Sequence, residues 1–107
     1  MNTENLIKSL NQTIQKEFPD LKGIYFIGSR MKGTSTHYYS DYDFVFTLGH
    51  KPHWREKKRI RAILCDFELM QDIVIDGKIY EDKELKNIWT PFRETVLNEG
   101  VFYEAPQ

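Results

Sequence analysis

The segment Asp41–Leu48 alternates between two kinds of side chain, and this alternation constrains the fold more than any other part of the sequence. Successive side chains of a β-strand point to opposite faces. One face of this strand therefore carries Tyr42, Phe44, Phe46 and Leu48, and the other carries Asp41, Asp43, Val45 and Thr47. Because the large apolar side chains need a second layer against them, the chain is expected to fold around a sheet with that face covered.

Patterns elsewhere in the chain predict the layers that cover this sheet. The predicted elements, in chain order, are a helix capped by Thr3 and stopped by Pro19, a strand over Ile24–Ile27, the strand Asp41–Leu48, a helix opened by Pro52 with Ile60, Ile63, Leu64 and Phe67 as its buried stripe, a strand over Asp72–Tyr80, and a helix from Thr90–Pro91 to Gly100. Together they predict one α/β domain over residues 1–107, a small sheet flanked by helices.

The charge balance limits the partners that we expect this chain to bind. Fifteen Lys and Arg residues face sixteen Asp and Glu residues, so the formal net charge is −1, whereas a general nucleic-acid binder is usually strongly basic. No apolar run has the length of a membrane span, and the first ten residues lack the apolar core of a signal peptide. With its single cysteine, the sequence predicts a cytoplasmic protein without membrane contact and without nucleic acid as its main partner.

Asp41 and Asp43 form a candidate metal site. At positions i and i+2 of a strand, their carboxylates project from one face a few ångströms apart, where they repel each other. Mg²⁺ prefers carboxylate and phosphate oxygens, so an ion held between them would remove the repulsion. The alternative is a solvated turn, because Asp-x-Asp at the start of a strand also caps backbone amides.

A candidate phosphate-binding turn follows the strand Ile24–Ile27. Gly28 lets a phosphate approach the backbone, and Ser29 adds a hydroxyl donor. Arg30 and Lys32 bring positive charge nearby. Since a lone Gly-Ser pair is more often an ordinary strand exit, the turn indicates nucleotide binding only together with the acidic strand that follows.

Taken together, residues 28–44 resemble the defining motif of the DNA polymerase beta-like nucleotidyltransferase superfamily, most closely its minimal nucleotidyltransferase branch. The matching residues are Gly28, Ser29, Arg30, Gly33, Thr34, Ser40, Asp41, Asp43 and Phe44. Eleven residues separate Ser29 from Asp41, one more than is usual in that branch, and the extra residue is expected to bulge out near residues 37–39. A weaker resemblance extends over about residues 20–104.

The resemblance implies the nucleotide and metal ligands. Asp41 and Asp43 would hold one or two Mg²⁺ ions. The residues expected to contact ATP or another nucleoside triphosphate are Gly28, Ser29, Arg30, Lys32 and Ser40.

A third carboxylate on a neighbouring strand completes sites of this family. Asp72 and Asp76 both lie in the predicted third strand, where alternation directs them to the same face. We expect the third acid to be Asp76, because Ile73–Ile75 lead into it as a buried strand does, and we keep Asp72 as the alternative.

The resemblance also implies a reaction and partners. The reaction is transfer of a nucleoside monophosphate, AMP from ATP in the simplest case, to a hydroxyl of a protein or small acceptor with release of pyrophosphate. Because the branch includes antitoxins paired with HEPN-domain toxins, a HEPN-type toxin is an expected partner, and a homo-oligomer is the other expectation. The extra loop residue leaves an alternative, a weak or inactive module that keeps the fold and neutralises its partner by contact.

Other features have plainer interpretations. The basic run Arg55–Arg61 predicts a solvated helix face or, alternatively, a docking surface for a protein, RNA or the triphosphate. Trp54 is expected in the core or an interface, and Cys65 as a small buried residue. His50 and His53 flank Pro52 in a predicted loop and are not expected to bind zinc.

Overall fold

The computed structural model describes residues 2–27, 42–87 and 90–106. The helices of this part of the chain are α1 (Thr3–Glu17), α2 (Trp54–Gln71), α3 (Asp82–Asn87) and α4 (Pro91–Glu99). Its strands are β1 (Leu21–Ile27), β2 (Tyr42–Leu48), β3 (Ile75–Glu81) and β4 (Val101–Glu104). The expected α/β class is confirmed.

The described strands form one mixed sheet in the order β3-β2-β1-β4. β1 pairs with β2 and with β4 in antiparallel fashion, whereas β2 and β3 run parallel. Parallel neighbours cannot be joined by a tight hairpin, and α2 supplies the long connection between them. This crossover lets β3 lie beside β2 in the parallel direction.

One face of the sheet packs against α1 and α2. The alternation of β2 directs all four of its large apolar residues to this face, as predicted, and none is more than 8% exposed. The helices contribute Leu6, Ile7, Leu10 and Ile14 from α1, and Ile60, Ile63 and Leu64 from α2. Each set repeats at three-to-four spacing, so the burial of these stripes attaches both helices to the sheet.

The opposite face of the sheet packs against α3 and α4. Its smaller core consists of Tyr25, Ile27, Val45, Leu85 and Val96. Tyr80 and Phe92 are partly buried against it. Alternation along β2 places Asp43 on this second face, next but one to Val45.

Local hydrogen bonds set both ends of α2. At its start, the His53 side chain accepts from the Arg55 backbone N–H at 3.2 Å, and the Glu56 carboxylate accepts from the His53 N–H at 2.8 Å. This reciprocal capping box satisfies amides that the first turn leaves unpaired. The helix ends at Asp72, whose φ of 54° is left-handed and cannot continue a helix.

The predicted ends of α4 are confirmed, while the predicted cap of α1 is wrong. Thr90 caps the amino terminus of α4, Pro91 lies in its first turn, and the helix ends at Gly100. α1 is capped by Asn2 instead of Thr3, because the Asn2 side chain accepts from the Asn5 N–H at 2.8 Å.

β3 begins three residues later than predicted. The residue expected to open this strand, Asp72, closes α2, and the strand covers Ile75–Glu81. Glu68 holds the intervening turn: its backbone carbonyl accepts from the Ile73 N–H at 3.2 Å and its carboxylate from the Ile75 N–H at 2.9 Å.

Two side chains of α2 differ from their expected burial. Cys65 is exposed, because a helix turns about 100° per residue and carries it away from buried Leu64. Trp54 is 61% exposed, so it is no core residue. Among the helices in the described ranges, none combines the length and the apolar character required to span a membrane.

Candidate metal and nucleotide site

β2 and β3 bring two of the predicted site carboxylates together. In the parallel register between these strands, Asp43 pairs with Asp76. Residues in register on neighbouring strands project from the same face, and the strands lie about 4.8 Å apart. The two acids therefore stand side by side on the face opposite α1 and α2.

β1 contributes the third strand position beside this pair. Ile27, the last described residue of β1, pairs with Asp43 on the other edge of β2. Ile27 is 8% exposed and belongs to the smaller core. Asp43 thus has an apolar neighbour on one side and a carboxylate on the other, while it is itself half-buried.

Asp76 carries a positive neighbour on its own strand. The Lys78 Nζ lies 3.2 Å from Asp76 Oδ2 and 5.2 Å from the centre of the Phe92 ring. The two paired side chains are 46% and 45% exposed, so solvent screens their attraction and the pair contributes less than about 1 kcal/mol. The pair is weak enough for a competing cation to replace Lys78.

Aromatic and basic side chains continue the same face beyond Lys78. Tyr80, next in the alternation of β3, has its ring 6.5 Å from that of Phe92. The Arg93 guanidinium lies 5.1 Å from the Tyr80 ring centre. The face therefore presents carboxylates at one end and cationic and aromatic groups next to them, an arrangement that suits an anionic ligand held through a cation.

Comparisons with known proteins show a likeness to solved structures. No family model matches the chain, and no curated protein matches it. Among solved structures, the chain is similar to a protein from Sulfolobus solfataricus described as a "putative nucleotidyltransferase", with a TM-score of 0.55, 17% sequence identity, and coverage of 92% of this chain and 77% of that one. This chain has a nucleotidyltransferase fold. At that identity, the likeness concerns the fold alone.

Within this nucleotidyltransferase fold, Asp72 does not join the acid pair. The alternation argument placed Asp72 and Asp76 on one face of a single strand, and it is wrong because Asp72 ends α2 in a left-handed conformation. The register places Asp76 beside Asp43.

The other predicted site residues fall outside the described part of the chain. They are Gly28, Ser29, Arg30, Lys32, Ser40 and Asp41. Within residues 2–27, 42–87 and 90–106, no group of three or more His, Cys, Asp or Glu side chains is placed to hold a metal ion. Of the predicted metal ligands, the described part of the chain therefore contains Asp43 and Asp76.

Sequence reasoning missed two basic residues of this face. The period of two along β3 directs Asp76, Lys78 and Tyr80 to one side, and that signal could have found Lys78. Arg93 comes from α4, whose packing against β3 depends on contacts between distant segments. No local sequence pattern predicts a contact between segments so far apart in the chain.

Proposed function

We propose that this chain is a magnesium-dependent nucleotidyltransferase. It transfers a nucleoside monophosphate, AMP from ATP in the simplest case, to a hydroxyl group of a protein or small acceptor. The observation that carries the proposal is the pairing of Asp43 with Asp76 in a nucleotidyltransferase fold.

The donor set fits magnesium. Asp43 and Asp76 offer carboxylate oxygens, the ligands that Mg²⁺ prefers, whereas zinc sites usually include His or Cys. Asp41, two residues before Asp43, is proposed as the remaining ligand. A bound ion would neutralise negative charge on the triphosphate and on the leaving pyrophosphate.

Nucleotide contacts are assigned to the segment between β1 and β2. The chain enters this segment after Ile27 and leaves it before Tyr42, and both residues adjoin Asp43. The proposed contacts are Gly28, Ser29, Arg30, Lys32 and Ser40. Backbone amides beside a glycine, together with the Arg and Lys charges, suit a triphosphate.

Asp76 is proposed to take the proton of the attacking hydroxyl. Its side chain is 46% exposed, so an acceptor can approach it from solvent. The hydroxyl oxygen forms a bond to the α-phosphorus, the bond from that phosphorus to the bridging oxygen breaks, and pyrophosphate leaves with the bonding electrons. The proton passes to the Asp76 carboxylate.

Three matched substitutions test this assignment. Asp43→Asn and Asp76→Asn remove a ligand charge with almost no change of shape, and we expect each to lower transfer at least about 100-fold. Asp72→Asn is the control, because asparagine also accepts the left-handed conformation of that position. Transfer is measured with α-labelled triphosphate and Mg²⁺ as label in the chain or in a candidate acceptor protein, and as released pyrophosphate.

Two results would contradict the proposal. One is equal transfer by wild type, Asp43→Asn and Asp76→Asn. The other is the absence of binding heat when Mg²⁺ and each of the four common triphosphates are titrated into the wild-type chain.

Lys78 favours a second candidate function, a module that binds a protein partner, such as a HEPN-type toxin, without turnover. Its ammonium gives the acid pair a positive neighbour with no metal required. Neutralisation of the partner that survives Asp43→Ala plus Asp76→Ala, with an unchanged circular-dichroism spectrum, supports the module. Loss of neutralisation in that folded variant supports the enzyme.

A further inference from the structure

The outward side of α2 carries an unusual row of exposed side chains. Opposite its buried stripe, every fourth residue forms one ridge along the helix: Trp54, Lys58, Ala62, Asp66 and Met70. All five are exposed, and Trp54 and Met70 are 61% and 74% exposed. The neighbouring ridge adds Cys65 and Leu69, which is 78% exposed. A solvated helix face is normally polar, so these apolar side chains indicate a contact surface.

The ridge is complementary to itself when read in the opposite direction. Trp54 and Met70 stand eight residues on either side of Ala62, and Lys58 and Asp66 stand four residues on either side. The order is thus apolar, positive, small, negative, apolar. A twofold axis at Ala62 would set Lys58 of each copy beside Asp66 of the other, and Trp54 beside Met70.

The charges of the ridge are available for such a contact. Lys58, Arg61 and Asp66 form no ion pair with any residue in the described ranges. By contrast, the Arg59 guanidinium donates to both oxygens of Glu17 at 2.8 Å. Lys58 and Asp66 lie on the ridge and Arg61 lies beside it, so all three charges are placed to meet a second copy.

We propose that α2 is the interface of a homodimer, in which the helices of two copies pack antiparallel about a twofold axis at Ala62. A different protein would fit this ridge only if its own charged and apolar side chains ran in the reversed order. A second copy of this chain, packed antiparallel, already presents that order. The small Ala62 side chain lets the two helices approach closely at the axis.

The proposed interface is independent of the proposed reaction. α2 covers one face of the sheet, and Asp43 and Asp76 lie on the other, so both sites of a dimer face solvent. An 18-residue helix is about 27 Å long, and a contact of that extent gives a reversible, concentration-dependent dimer.

A charge swap tests the pairing of Lys58 with Asp66. Sedimentation velocity and light scattering should show the 12.8 kDa chain doubling in mass as its concentration rises. Asp66→Lys or Lys58→Asp alone places like charges together twice in each dimer, and each should weaken dimerisation at least about 10-fold. The double variant restores opposite charges and should return to near the wild-type dissociation constant.

A covalent probe and an apolar pair of variants locate the contact. Cys65, the single cysteine, lies three residues from Ala62, so a short bis-maleimide should link two wild-type copies, less so in Asp66→Lys and not at all in Cys65→Ser. Leu69→Glu should weaken the dimer. Leu97→Glu, on α4 and 39% exposed, is the matched control and should not.

The proposal is overturned by a wild-type chain that stays monomeric up to about 100 μM. It is also overturned by a dimer that Asp66→Lys leaves intact, or that Leu97→Glu disrupts and Leu69→Glu does not. Circular dichroism on each surface variant separates loss of contact from loss of fold.

Discussion

His50 lies between two carboxylates at the end of the sheet remote from Asp43. Its Nδ1 is 2.5 Å from Asp20 Oδ2, and its Nε2 is 3.0 Å from Glu56 Oε1. Ionised carboxylates only accept hydrogen bonds, so both ring nitrogens must donate and the ring is favoured in its charged form. The hydrogen bonds to Asp20 and then Glu56 raise the pKa of His50 above its usual 6.5.

This contact makes stability fall as pH rises. The pKa is higher in the folded chain than in the unfolded one, so the contribution is complete below about 6.5 and is lost as pH rises through the folded-state value. The His50 side chain is 42% exposed, and screening keeps the effect below about 1 kcal/mol. Urea unfolding between about pH 6 and pH 9 should show this decline in wild type and not in His50→Gln. Parallel pH curves for the two proteins would refute it.

The prediction of a third acid shows what single residues reveal before a structure is known. Apolar residues leading into Asp76 favour it over Asp72, and the register sets it beside Asp43. The sequence does not show that Asp72 lies outside the strand. Ile73 is β-branched, as strand residues often are, but its backbone N–H donates to the carbonyl of Glu68, which holds it in a turn. An apolar residue next to a helix end is compatible with either structure.

Among the elements, β4 depends on a close approach to β1 at Gly23. A Cβ added there would lie 2.5 Å from the Tyr103 carbonyl oxygen and 2.6 Å from the Phe102 ring. We expect Gly23→Ala to displace β4 and to lower the free energy of unfolding by about 1–3 kcal/mol. Gly49→Ala is the control, because its Cβ would meet the Asp20 side chain at 3.2 Å, a milder contact.

Denaturant melts of both glycine variants measure the difference. The ring of Phe102 lies 4.7 Å from that of Tyr25, so loss of β4 should also change near-ultraviolet circular dichroism. A Gly23→Ala chain as stable as wild type would show that β4 moves aside at no cost.

Element length explains which parts of the fold could be predicted. β2 alternates over seven residues, and both of its faces follow from the sequence. β4 has four residues and α3 has six, too few to establish a period, and neither was predicted. β4 also owes its existence to pairing with β1, far away in the sequence, which no local pattern contains.

At the scale of the whole molecule, the proposed magnesium–nucleotide site would link ligand binding to folding through the acid pair. Asp43 and Asp76 belong to different strands and come together only in the folded chain. A magnesium–nucleotide complex that binds them therefore binds the native state alone, and at 100 times its dissociation constant adds about 2.7 kcal/mol of stability. The thermal midpoint should rise with Mg²⁺ and ATP in wild type and not in Asp43→Asn, and identical shifts would place binding elsewhere.

The parallel pairing of β2 with β3 also has a consequence for the order of events during synthesis. A nascent chain leaves the ribosome with its amino terminus first. The helix α2 and the first residues of β3 must both emerge before Asp76 can pair with Asp43 on β2. A growing chain therefore acquires its acid pair only after the whole of α2 and the start of β3 have been made.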